Sequence, residues 1–229
     1  IAFLLIGSMA MISLAWYSEK EKASLNTRKQ DAEKLLRDAE LRTLRSQLQP
    51  HFLFNALNSI SALVISQPEN ARNMIQQLSD FLRGRLRMDD VQFISLKEEM
   101  EYLQLYLEIE KVRFGHRMET SIKIDNEALY QLKIPNMLLQ PVMENAIKFG
   151  LYDTLGKVCI SLEAEKKESL LFISIKNPFD PETALPLQGT GFGLSSVQKR
   201  LALLYGRHDL LIAKAEGNFF ITKLFIPQI

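Results

Sequence analysis

The chain has 229 residues, 47% of them hydrophobic and 24% charged, a composition that suits a globular protein with a buried core. A formal net charge of +1 gives no global electrostatic case for binding nucleic acid. The single cysteine, Cys159, excludes an internal disulfide framework and reads as a small residue in a strand.

Residues 1–17 form an uncharged apolar run that ends in Trp16 and Tyr17 and is followed by Lys20, Lys22, Arg28 and Lys29. Seventeen helical residues span about 25 Å, just short of a hydrocarbon core. The aromatic end and basic flank predict the C-terminal part of a transmembrane helix; a buried helix or a signal-peptide core are the alternatives. Residues 18–50 contain no glycine and predict a long helix. Leu25, Ala32 and Ala39 recur every seven residues, so 18–40 reads as a coiled-coil linker, with a solvated single helix still open.

Pro50 and His51 then interrupt a helical apolar pattern. Proline removes a helical hydrogen bond and bends the axis, and imidazole titrates near neutrality. The pair predicts a nucleophile or proton carrier at a hinge, against the alternative of a lone core histidine beside a kink. Two apolar stripes follow: Leu48, Phe52, Ala56 and Ser59, then Leu53, Leu57, Ile60 and Val64. Ser66-Gln-Pro-Glu69 has capping-box form and predicts a second helix with Ala71, Met74, Ile75, Leu78, Phe81, Leu82 and Leu86 inward. A helical hairpin over 41–90 buried on two faces calls for a second copy, hence a homodimer.

Ser95-Leu-Lys-Glu98 is another capping box, opening a helix within 91–118 with Leu96, Met100, Leu103 and Leu107 inward. From 119 to 229 strand and helix patterns mix. Strands are predicted over 119–124, 157–164, 170–175, about 208–214 and 219–225. Helices are predicted over 135–149, stopped by Gly150, and over 194–205. His116 and His208 read as surface residues.

Two segments carry chemistry. Glu144, Asn145 and Lys148 fall within one helical turn, a carboxylate, a carboxamide and an ammonium suited to a metal-bound phosphate. The bland alternative is a polar face with a Glu144–Lys148 pair. Gly189-Thr190-Gly191-Phe192-Gly193 precedes Leu194 and a helix, so backbone N–H groups and the helix N-terminus could meet an anion. A lone glycine-rich loop is a weak signal.

Together these residues resemble a known family. Ser46-Gln-Leu-Gln-Pro-His-Phe-Leu-Phe-Asn-Ala-Leu-Asn58 is similar to the phosphoacceptor motif of LytS/YehU-type sensor histidine kinases. Leu139-Gln-Pro-Val-Met-Glu-Asn-Ala-Ile147 resembles their asparagine box, and Gly189–Leu194 with Gln198-Lys-Arg-Leu201 resembles their second glycine box. The resemblance implies an α+β chain: a membrane-proximal coiled coil and dimerisation hairpin, a linking helix over 91–118, and an α/β-sandwich ATP-binding domain of Bergerat type over 119–229. It implies the cofactors ATP and Mg²⁺, with His51 taking the γ-phosphoryl group and passing it to a response regulator, expected to carry a LytTR-type DNA-binding domain. Asn145 would hold Mg²⁺, Glu144 would assist catalysis, and Lys148 would lie near phosphate. Gly189, Thr190, Gly191, Phe192, Gly193 and Leu194 would wrap the phosphates, beneath a lid over about 179–188. The implied location is the inner, cytoplasmic membrane of a bacterium, with residues from about 18 onward cytoplasmic.

Three departures stand out. Asn177-Pro178 occupies the place of the family's adenine-reading Asp-x-Gly; Phe149 stands where histidine is frequent; Phe52 follows His51 where other kinase classes carry an acid. The first motivates a second expectation, a degenerate kinase that signals as a dimer while binding nucleotide poorly.

Overall fold

The computed structural model describes residues 50–88, 92–151, 156–179 and 192–228. It forms two compact units, one ending at Phe54 and the other running from Asn55 to Ile229. The first is described only over Pro50–Phe54, the opening of helix α1 (Pro50–Ser66). Then follow α2 (Pro68–Met88), β1 (Phe93–Ser95), α3 (Leu96–Phe114), β2 (Met118–Ile124) and β3 (Lys133–Pro135). After them come α4 (Leu139–Leu151), β4 (Val158–Lys167), β5 (Leu170–Pro178), α5 (Phe192–Tyr205), β6 (Leu211–Glu216) and β7 (Phe219–Pro227). The fold class is α+β, as expected.

Among the described residues, no helix is long and apolar enough to cross a membrane, which corrects the expected membrane location. The run over 1–17 behind that expectation, the expected coiled coil over 18–40 and the start of the phosphoacceptor motif at Ser46 lie outside the described residues.

In α1, Ala56 and Ile60 are buried four residues apart, but Leu57 and Val64 remain 49% and 53% exposed. Ile60 belongs to the same expected stripe as Leu57 and Val64, so that stripe is covered within the chain only in part, whereas Phe52 and Ala56 of the other are buried. The turn into α2 also differs from expectation. Ser66 Oγ donates back to the Ala62 carbonyl at 3.2 Å, as serine does at the end of a helix, instead of capping forward toward Glu69. Pro68 still takes the first helical position, where its missing N–H costs nothing.

Helix α2 buries Ala71, Met74, Leu78 and Phe81, while Ile75 stays 50% exposed. Phe81 stacks on Tyr102 of α3 with ring centroids 4.9 Å apart. Gly84 permits this approach, since a Cβ there would lie 3.2 Å from the Tyr102 ring. Helix α3 starts at the predicted capping box, in which Ser95 Oγ accepts from the Glu98 amide and the Glu98 carboxylate accepts from the Ser95 amide. Leu96, Met100, Leu103 and Leu107 are buried as expected, and so are Tyr102, Tyr106 and Ile109. Helix α3 is thus covered on more than one face, packing on α2, α4 and β2.

A five-stranded mixed sheet carries the rest, in the order β2-β4-β5-β7-β6. Strand β2 runs parallel to β4, which requires the crossover through α4; the other pairings are antiparallel. Val158, Ile160, Leu162 and Ala164 of β4 and Leu171, Ile173 and Ile175 of β5 alternate with more exposed neighbours, so the sheet buries one face. Helix α4 packs on β4 and β5, and α5 packs on β6.

A two-stranded ribbon sets the start of α4. Strand β1 pairs with β3 from Phe93↔Pro135 to Ser95↔Lys133, placing the first turn of α3 beside the segment leading to α4. This explains why α4 begins at Leu139 and not at the predicted Pro135. Pro135 belongs to the ribbon, and Met137 adopts φ 48°, a left-handed conformation that breaks helical continuity. Helix α4 then passes through Gly150 to Leu151, so Gly150 does not stop it.

Candidate functional site

The asparagine-box residues lie on α4, whose buried side carries Leu139, Val142, Met143, Ala146 and Ile147. This periodicity leaves Glu144 and Asn145 partly accessible and Lys148 exposed. Glu144 Oε1 accepts a hydrogen bond from Gln140 Nε2 at 2.6 Å, so its carboxylate is oriented from the preceding turn. Lys148 Nζ lies 5.2 Å from the Phe149 ring centroid, a cation–π distance.

Two contacts bring other motif residues to this helix. At its C-terminal end, a Cβ on Gly150 would lie 3.3 Å from Val158 Cγ1, 3.4 Å from Asn177 Cβ and 3.6 Å from Asn177 Nδ2. Gly150 thus packs closely against Val158 of β4, and the end of β5 lies beside it at ordinary contact distance. Asn177 is 2% exposed, and its Nδ2 donates to the Pro178 carbonyl at 2.8 Å. In this orientation its Oδ1 is the group left to accept. At the N-terminal end of α4, a Cβ on Gly193 would lie 3.7 Å from the Pro141 carbonyl. The first turn of α5, with Gly193 and Leu194, therefore lies beside the first turn of α4.

Gly189, Thr190 and Gly191, like most of the expected lid, fall outside the described residues, and Phe192 is described only as the first residue of α5. His51 is exposed on α1. His116 and His208 are exposed, as expected of surface histidines. Cys159 is exposed on β4.

A buried polar cluster escaped the sequence reading. Glu99 of α3 is 1% exposed, and its carboxylate accepts from the Met137 amide at 2.7 Å and the Leu139 amide at 2.8 Å. Arg200 of α5 donates to the Asn136 carbonyl at 2.6 Å and, through its other terminal nitrogen, to Asn136 Oδ1. Burial pushes the Glu99 carboxyl up to about 7, with the backbone donors and Arg200 opposing that rise. Burial lowers the Arg200 guanidinium, opposed by the charge of Glu99. Further along α3, burial raises Glu110 to about 6, against Arg113 at 3.6 Å. The one sequence signal for Glu99 was its place three residues before Tyr102 and four before Leu103, on the apolar side of α3.

Residues 39–118 match the family model described as histidine kinase. The sensor histidine kinase BtsS of Escherichia coli K12 is 39% identical over 198 residues, covering 84% of this chain and 34% of that protein. The sensor histidine kinase YpdA of the same strain is 34% identical over 210 residues, 88% of this chain and 36% of that one. The sensor protein LytS of Oceanobacillus iheyensis is 34% identical over 208 residues, 85% and 35% of the two chains. The chain thus spans about a third of the length of these relatives. Among solved structures, the Acinetobacter baumannii histidine kinase AdeS matches at 12% identity and TM-score 0.45, covering 82% of this chain and 97% of that one. With the phosphoacceptor, asparagine and glycine motifs in order and sensor kinases of this type aligned along most of its length, the chain is similar to the LytS/YehU-type sensor histidine kinases.

Proposed function

We propose that this chain is the kinase portion of a two-component sensor, transferring the γ-phosphoryl group of ATP to His51 and then to an aspartate of a response regulator. A nitrogen of the His51 imidazole attacks the γ-phosphorus, the bond to the β–γ bridging oxygen breaks, and ADP leaves. The imidazole proton departs to solvent. An aspartate oxygen of the regulator then takes the phosphoryl group and His51 is regenerated. Such a transfer depends mainly on positioning and on neutralising phosphate charge.

The observation that carries this reading is the arrangement around α4. The asparagine box, Asn177 and the start of the glycine-motif helix meet on one helix through contacts at Gly150 and Gly193. The residues suit a magnesium nucleotide. Asn145 would ligate Mg²⁺, with the Glu144 carboxylate held nearby by Gln140, and Lys148 would face phosphate. Bound Mg²⁺ would neutralise charge on the phosphates. Gly189, Thr190, Gly191, Phe192, Gly193 and Leu194 would enclose them. Asn177 Oδ1 would accept from the adenine amine, the task an aspartate performs in those kinases.

In this reading 41–90 is the dimerisation and phosphoacceptor hairpin, 91–118 the linking helix and 119–229 the ATP-binding domain. A second copy would cover Leu57, Val64 and Ile75, which are 49%, 53% and 50% exposed. The regulator partner is expected to carry a LytTR-type DNA-binding domain.

The test is incubation with ATP radiolabelled at the γ-phosphorus. Wild-type protein should acquire acid-labile label, and His51→Gln should acquire none. Label that persists in His51→Gln, or that survives acid, contradicts the assignment. Asn177-Pro178 favours a second reading, a degenerate kinase with weak nucleotide affinity. Calorimetry separates the two, because micromolar Mg·ATP binding with turnover excludes the degenerate form.

A further inference from the structure

The first turn of α3 carries Lys97, Glu98 and Glu99, and of these only Glu99 is buried. The residue before α4 is Leu138, which has no side-chain acceptor with which to cap the helix. Glu99 supplies that cap from another helix, one carboxylate oxygen accepting from Met137 N and the other from Leu139 N. Arg200 holds Asn136 of the same segment through a two-point contact, and Asn136 is itself only 6% exposed. Three helices therefore meet at four residues of chain: α3 through Glu99, α5 through Arg200, and α4 at its own N-terminus.

We propose that the Glu99–Asn136–Arg200 cluster is the joint through which the linking helix sets the nucleotide site, and that Glu99 is a positioning residue for ATP use. This rests on the phosphotransfer reading above, which assigns the nucleotide to α4 and the start of α5. Helix α3 lies along α2, the second helix of the hairpin, through the Phe81–Tyr102 stack. A shift of α3 carries the Glu99 carboxylate with it. The N-terminus of α4 must then follow or lose both caps, and Asn145 stands only six residues beyond Leu139 on the same stiff helix. Arg200 makes α5, and with it Gly193 and Leu194, part of the same movement.

The test compares wild type, Glu99→Gln and Arg200→Met in the full chain. Initial rates of His51 phosphorylation are measured against Mg·ATP, and amide hydrogen exchange is followed by mass spectrometry. Glutamine keeps the volume of Glu99 but retains only one oxygen acceptor. In Glu99→Gln the KM for Mg·ATP should rise about tenfold while the rate at saturating ATP changes less than about twofold. Exchange should accelerate at Met137–Leu139 and also at Gly193–Val197 on α5. Arg200→Met leaves both Glu99 caps in place and should raise KM similarly. Unchanged KM in both variants overturns the joint and leaves Glu99 a purely structural cap. Should wild-type protein take up no label, the phosphotransfer reading falls on its own. The exchange data then decide the joint, and unchanged protection of Gly193–Val197 in Glu99→Gln overturns it.

Discussion

The N-terminal end of α4 is held by hydrogen bonds, through Glu99 and the Arg200–Asn136 contact, whereas its C-terminal end is held by close packing around Gly150. The first arrangement is directional and can titrate. The second is a steric fit, indifferent to pH. One helix, proposed to carry the magnesium ligand, is thus positioned by two unlike interactions. Perturbing each separately shows which of them sets the site.

The largest effect is expected at the hydrogen-bonded end. Glu99→Ala leaves one buried and one part-buried amide without their acceptor and should cost about 3 kcal/mol. The urea midpoint checks this, and a loss under about 1 kcal/mol means that water or a neighbour replaces the cap. At the steric end, Gly150→Ala sets a methyl 3.3 Å from Val158 Cγ1 and 3.4 Å from Asn177 Cβ. Overpacking of this kind costs about 1–3 kcal/mol, offset by about 1 kcal/mol from the better helix propensity of alanine, so a small net loss is expected. It should also weaken Mg·ATP binding by pushing Asn177 away from α4, which calorimetry can measure. Stability lost with affinity unchanged would detach Asn177 from the nucleotide.

The two ends should also respond differently to pH. Glu99 titrates at about 7 and Glu110 at about 6 in the fold, both above the ordinary 4.5. The folded chain therefore binds these protons more tightly than the unfolded one. Their contribution to stability is complete below about pH 4.5 and declines as pH rises through about 6 and then 7. Thermal melts between those values should show that decline in wild type and a flatter profile in Glu99→Gln, with Gly150→Ala parallel to wild type. The smallest effect belongs to Ser95→Ala, which removes one half of the capping box that starts α3 and should cost about 1 kcal/mol in melting experiments.

Much of this architecture was legible in the sequence, because local rules governed it. Alternation fixed β4 and β5, and Ser95 with Glu98 fixed the start of α3. What escaped depended on partners distant in the chain. Glu99 sits in a charged turn, Lys97-Glu98-Glu99, that reads as solvated; it is buried only because the β1–β3 ribbon brings the start of α4 to it. Gly150 read as a helix stop, since sequence cannot distinguish a glycine that ends a helix from one that admits a strand. Ser66 has the spacing of a capping box, yet its hydroxyl chose the carbonyl behind it. Leu57 and Val64 fit a buried stripe and are exposed in the single chain. The motif residues themselves were found by pattern. That Asn177 and the start of α5 lie against the two ends of α4, beside Gly150 and Pro141, was not visible until the helices were packed.

The central claim is that α4, the end of β5 and the start of α5 form one nucleotide site, and amide hydrogen exchange with and without Mg·ATP tests it most directly. Nucleotide should slow exchange in the C-terminal half of α4, at Asn177 and at Gly193–Val197, and leave β6 unchanged. Protection confined to other elements, or none at saturating Mg·ATP, would contradict the account.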